Sequence, residues 1–365
     1  MRMWLGEFVW GATKPSLPAL AGSILVAVAL FAGCIFSITP ELVGGAGRGY
    51  FVRNDEDHYA GLTAEALHLG RTVPNAPSVV LIGASSTREA FSTKAELERL
   101  LLEETGESFA VYNLTSDGIT HWEVGALWDI IGGKFPGMIV VEVSPLNLSR
   151  NPADLEDMGR DWRFALDSPS FTEELRIAGV DIPERTGNYF LDHRRFFLAR
   201  PVVLLNLLRG PIAIKPHRAE EWRTVSGAEF ERAAARTGRW RETYRANREA
   251  NVAVYDRLTA RMTAGAEVKV LLVNSTRNPA ADALNFATDE HRALLDAYEA
   301  DAERLARGPG IDYADLRDEA ALTPSDFVDA SHIKSPEARS RYTRALAKHL
   351  AALWRGDSEP GRARS

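Results

Sequence analysis

The chain of 365 residues is 45% hydrophobic and 25% charged, with a formal net charge of -7; this is ordinary globular composition, long enough for one large domain or two small ones. The mild acidity argues against a nucleic acid partner, because a phosphate binder usually carries a net basic face. The single cysteine, Cys34, excludes a disulfide framework and any cysteine-rich metal site.

The first predicted element is the uncharged stretch LPALAGSILVAVALFAGCIFSI, from Leu17 to Ile38. At about 1.5 Å per residue, its roughly 22 residues would cross a bilayer core of about 30 Å, so it reads as a transmembrane helix. Arg2 and Lys14 precede it with Glu7 between them, and Glu41 follows. The positive-inside rule then leaves residues 1–16 in the cytoplasm and the rest on the periplasmic or extracellular side of the cell membrane. A cleaved signal peptide is the weaker reading, since the apolar region runs past every plausible cut, and Phe31-Ala32-Gly33-Cys34 only partly matches a lipoprotein processing site.

Residues 39–70 read as a stalk or linker, on the glycines and charges of GGAGRGYFVRNDEDHY. Apolar runs follow that predict strands: SVVLIG (78–83), FAVYNL (109–114), MIVVEV (138–143), VKVLLVN (268–274) and, less regular, IDYADL (311–316). Helical patterns lie between them, with Leu97, Leu100 and Leu101 on one face and Val124, Leu127, Trp128 and Ile131 on another. Strands alternating with helices imply a parallel sheet covered on both faces. The segment from about 150 to 265 interrupts this rhythm as a helical insertion. Its run YFLDHRRFFLARPVVLLNLL reads first as packing onto the core, with a lid or a membrane-resting surface as the alternative. In the arginine-rich run 239–262, Val252, Tyr255, Leu258 and Met262 are the expected buried face. The domain is expected to span 71–355, with a disordered tail at 356–365.

Each predicted strand carries polar residues at its carboxyl end, where open α/β sheets do their chemistry. Gly83-Ala84-Ser85-Ser86 follows the first, Asn113-Leu114-Thr115-Ser116-Asp117-Gly118 the second and Ser144-Pro145-Leu146-Asn147 the third. After the last comes Asp329-Ala330-Ser331-His332, then a helix opened by Ser335 and Pro336. These four blocks resemble those of the SGNH (GDSL-type) hydrolase superfamily. The resemblance implies a flavodoxin-like α/β domain, with a five-stranded parallel sheet sandwiched by helices. It places Ser85 as nucleophile, His332 as its base, Asp329 as the residue orienting His332, and Ser85, Gly118 and Asn147 at the oxyanion hole.

Two positions depart from the family pattern: Ala84 stands where the first block has Asp, and Leu146 stands where the third block has Asn. Asn147 then serves by a shifted loop, or the third donor is missing. The resemblance to membrane-anchored members implies an O-acyltransferase or esterase of the O-acetyl class acting on an envelope or exopolysaccharide glycan. A multi-pass membrane acyltransferase is the implied partner, and no cofactor or metal is called for. Two rivals stand beside this reading: a catalytically impaired glycan-binding or scaffold subunit, and a nucleotide-binding domain, which the missing Gly-x-Gly-x-x-Gly pattern disfavours.

Overall fold

In the computed structural model, which describes residues 17–52, 58–72, 74, 76–132, 136–158, 163–182, 184–212, 219–265 and 268–356, the five apolar runs pair as one sheet. Strands β1 (Ser78–Ile82), β2 (Ala110–Asn113), β3 (Gly137–Val143), β4 (Val268–Asn274) and β5 (Ile311–Ala314) lie in the order β2-β1-β3-β4-β5. Every pairing is parallel. The protein is therefore α/β, with the strand order of flavodoxin-like sheets and its switch point between β1 and β3. β1 and β3 are buried along their whole length, which is why they read as continuous aliphatic runs rather than alternating ones.

An exposed apolar helix, α1 (Leu17–Ser37), precedes the sheet, and the helices packed around the sheet and site include α2 (His58–Leu69), α3 (Ser85–Ala90), α4 (Lys94–Thr105), α5 (His121–Ile131), α6 (Pro145–Leu148), α7 (Trp240–Thr263), α8 (Asp289–Leu305) and α9 (Pro336–Arg355). Successive side chains of a strand point to opposite faces, and the core divides accordingly. Val80, Ile82, Ile139, Val141 and Leu272 pack against α2, α5, α7 and α8. Val79, Leu81, Met138, Val140 and Leu271 pack against α4 and α9. Sequence-local caps hold the helix ends: Thr120 and Glu123 form a capping box on α5, and Ser335 caps α9 ahead of Pro336.

Two expected boundaries move. The stretch 39–70 is not a free stalk: Val43, Phe51, Leu62 and Leu69 are buried in the core, and α2 lies against α5. Of the glycines that suggested a linker, Gly44, Gly45 and Gly49 sit in short helices and Gly47 joins them, and Gly44 approaches the Leu67 backbone so closely that a Cβ there would meet it at 3.1 Å. The insertion also ends earlier than expected, since α7 packs on β4 as the crossover helix of the layer. Val252, Tyr255, Leu258 and Met262 form its buried face. Helix α1 is the one candidate among the described residues that is long and apolar enough to cross a membrane, with mean hydropathy 2.5. The expected cytoplasmic segment 1–16 and most of the tail lie outside the described residues.

Candidate active site

The turn after β1 must be tight, because the chain passes from a buried strand into α3 within two residues. Gly83 is required there: a Cβ would stand 2.8 Å from Thr87 Oγ1 and 2.9 Å from Glu142 Oε2. Ser85 is thereby placed at the first position of α3, beyond the carboxyl end of β1. At the far end of the chain, Asp329 to His332 form a loop closed by an antiparallel bridge between Phe327 and Ile333. The loop after β4 pins it from the side: Thr276 Oγ1 donates to the Ser331 carbonyl at 2.8 Å, and Asn278 Nδ2 to the Asp329 carbonyl at 2.9 Å.

These two segments meet. His332 Nε2 lies 2.9 Å from Ser85 Oγ, and His332 Nδ1 lies 2.8 Å from Asp329 Oδ2. The other Asp329 oxygen accepts the backbone N–H groups of Ser331 and His332, each at 2.9 Å. Burial pushes the Asp329 carboxyl upward, but its hydrogen bond to His332, the charge of that ring and the two N–H groups outweigh this and hold it below the usual carboxylate range. The edge of Trp222 covers the His332 ring at 5.2 Å between centroids.

Ser85, Gly118, Asn147 and His332 line one cavity of about 250 Å³. Gly118 has φ +59°, a left-handed conformation that favours glycine. Its carbonyl accepts Arg163 Nη2 at 3.3 Å and Arg150 Nη2 at 3.4 Å. Among the described residues, neither the Ser85 nor the Gly118 N–H donates to an acceptor. Asn147 is buried; its N–H donates to the Ser144 hydroxyl at 3.1 Å, and its Nδ2 lies 3.5 Å from Tyr255 Oη. Tyr255 in turn donates to the Glu142 carbonyl at 3.0 Å. One amide hydrogen of Asn147 thus faces Tyr255, and the second has no acceptor among the described residues.

The residue that sequence reasoning missed is Glu142, the buried acid in MIVVEV. Its Oε2 accepts the Ala84 N–H at 2.7 Å and the Thr87 hydroxyl at 2.5 Å, and its Oε1 accepts the Ser86 hydroxyl at 2.9 Å. One carboxylate therefore grips the residues on both sides of Ser85. A second missed device is the buried ion pair of Glu89 on α3 with Arg339 on α9, at 3.1 Å. Arg339 also donates to the Ile333 carbonyl at 2.9 Å, tying the serine helix to the histidine loop. The signal for Glu142 was a charged residue inside an otherwise apolar strand, which is expensive unless paired; Glu89 and Arg339 lie in helices rich in polar residues and carried no such signal.

Geometrically the arrangement fits nucleophilic acyl transfer: a hydroxyl, an imidazole in contact with it, a carboxylate fixing that ring, and two unengaged N–H groups on residues that line the same cavity. Among the described residues no group of three His, Cys, Asp or Glu side chains is set to hold a metal.

No family model matches this chain, and no curated protein does. Among solved structures, the crystal structure of a lipase from a goat rumen metagenome is similar at 12% identity and a TM-score of 0.33, covering 76% of this chain and 99% of that one. A likeness at that level assigns no activity.

Proposed function

We propose that this chain is a membrane-anchored serine acyl-transfer enzyme of the SGNH hydrolase type, an esterase or O-acyltransferase acting on an envelope glycan. The observation that carries the proposal is the continuous Ser85–His332–Asp329 contact, at 2.9 and 2.8 Å. Serine is a weak nucleophile at neutral pH, so its proton passes to His332 Nε2 as Oγ attacks the ester carbonyl. Asp329 holds the tautomer that keeps Nε2 unprotonated until then and stabilises the imidazolium that forms. The N–H groups of Ser85 and Gly118, with the second Asn147 amide hydrogen, serve the developing oxyanion. Collapse breaks the ester bond, His332 returns its proton to the leaving alkoxide, and the acyl group stays on Ser85. Attack by water then gives hydrolysis, and attack by a sugar hydroxyl gives transfer.

The apolar helix α1 supports an anchored enzyme working on a polymer at the membrane, with a multi-pass acyltransferase as the proposed donor of acyl groups. A fluorophosphonate probe tests the chemistry. Labelling of the folded full-length chain that disappears in Ser85→Ala is the expected result. Absence of labelling in the folded wild type rejects the enzyme and favours a glycan-binding scaffold.

A further inference from the structure

Arginine side chains carry five N–H donors, and a buried one usually finds acceptors for most of them. Two arginines line the cavity that holds Ser85, and they differ in this respect. Both leave one buried nitrogen without a hydrogen-bond acceptor, Nη2 in Arg277 and Nε in Arg150, but Arg277 is otherwise held from several sides: Nε is 3.1 Å from Asp282, Nη1 is 3.3 Å from Asn274 Oδ1, and Nη2 keeps an ion-pair contact with Glu299 at 3.5 Å. Arg150, just after α6, is not. Its one side-chain hydrogen bond among the described residues is the long contact to the Gly118 carbonyl, at 3.4 Å. Its Nε is buried without an acceptor, and its carboxylate partner, Asp154, stands 3.9 Å away with its side chain 48% exposed.

The remaining neighbours leave its donors without a close acceptor. Glu123 is already taken by Arg163 at 3.0 Å and by the Thr120 N–H at 2.8 Å. Burial, followed by the charge of Arg150 itself, brings the nearby His121 down to about 3, so that ring is neutral at physiological pH. Burial lowers the Arg150 pKa, with the charges of Glu123 and Asp154 opposing it. The Arg150 side chain, 28% exposed, lines the nucleophile's cavity, and its two Nη groups are held only by the 3.9 Å and 3.4 Å contacts, so an oxyanion there could bind them through two parallel hydrogen bonds. Arg150 is also dispensable for holding Gly118, because Arg163 Nη2 reaches the same carbonyl at 3.3 Å.

We infer that Arg150 is an anion-recognising residue: the substrate carries a carboxylate or phosphate group close to the ester that Ser85 attacks. The inference rests on the acyl-transfer reading of the site and narrows its substrate to an anionic one.

The experiment compares the full-length chain with Arg150→Gln on 4-acetoxybenzoate and its neutral isostere 4-acetoxybenzamide. The preference for the carboxylate, as a ratio of kcat/KM values, should fall by about tenfold to a hundredfold in Arg150→Gln, the range that charge-assisted pairs span. The fall should lie mainly in KM and be partly restored in Arg150→Lys. Comparing ratios cancels the differing leaving groups and any loss common to both esters. An unchanged ratio overturns the inference. A second arm needs no turnover: 4-hydroxybenzoate, 4-hydroxybenzamide and inorganic phosphate are titrated calorimetrically into Ser85→Ala and into Ser85→Ala/Arg150→Gln. Tighter binding of an anion than of the amide, lost with Arg150, supports the site and tells carboxylate from phosphate. Equal binding of all three overturns it. Arg150-dependent anion binding without ester turnover by the wild type would reject acyl transfer and leave the anion site standing.

Discussion

Replacing Glu142 should damage the site more than its distance from the chemistry suggests. In Glu142→Ala, the Ala84 N–H and the Ser86 and Thr87 hydroxyls lose their shared acceptor while Ser86, Thr87 and the end of β3 stay buried. A buried donor without an acceptor costs about 1–3 kcal/mol, and the two hydroxyls can partly reorient, so the loss should be about 3–5 kcal/mol. Against a total stability of about 5–15 kcal/mol, that endangers the fold itself. Glu142→Gln is the sharper probe. It keeps the shape and an acceptor for Ala84, but its NH₂ must now donate to a hydroxyl that formerly donated to it. We expect about 1.5–3 kcal/mol of destabilisation, the range of a lost charge-assisted bond. Turnover of a simple aryl ester should fall about tenfold or more with little change in KM, because small misplacements of a nucleophile cost rate rather than binding. Denaturant titration and steady-state kinetics on Glu142→Gln decide the matter. Wild-type stability together with wild-type kcat would refute the reasoning that this carboxylate positions Ser85.

Ser85→Ala and His332→Ala should each abolish ester turnover, and the double variant should be little worse than either, since residues acting as one unit are non-additive; additive losses would show that they act separately. Asn147→Ala should lower kcat about a hundredfold if its amide serves the oxyanion. Tyr255→Phe, which removes the partner of that amide, should give a smaller loss that vanishes in the Asn147→Ala background, and a silent Asn147→Ala would leave a two-donor hole. The folded Asp329 carboxyl lies below its ordinary value, so its contribution to stability is present above about pH 3.9 and is lost as the pH falls through the lower folded value. The melting-temperature gap between wild type and Asp329→Asn should therefore be widest near neutrality and close on acidification below about pH 4; a gap that widens there would contradict the assignment.

The sheet was legible because buried parallel strands need aliphatic side chains on both faces, so VVLI, MIVV and VLLV stand out from their surroundings. Ser85, Asp329 and His332 were reached through the resemblance of the blocks that carry them, supported by the Gly83 turn after β1 and by the three-residue spacing of Asp329 and His332 on one loop. Glu142 was hidden because its partners lie across the β1–β3 pairing, where Ile82 stands opposite Val141. Local sequence gives no hint that a Glu ending a strand will reach Ala84, Ser86 and Thr87. Helix α2 was hidden by the glycine-rich stretch before it, although Leu62, Ala66 and Leu69 of HYAGLTAEALHL already have helical spacing. Arg150 lay in a loop whose sequence says nothing of the cavity beside it.

Ser85 and the histidine it contacts are 247 residues apart, and the Glu89–Arg339 ion pair joins α3 to α9. This separation has a consequence for the order of events during biosynthesis. The serine is made early and β1 can form soon after, but the histidine loop and α9 are the last parts of the domain to leave the ribosome. On the acyl-transfer proposal, a chain caught before His332 carries a hydroxyl without its base, and its reactivity is that of an ordinary serine. In the proposed mechanism, a product truncated before Asp329 would lack both the base and the residue that orients it, and would be inert rather than misdirected.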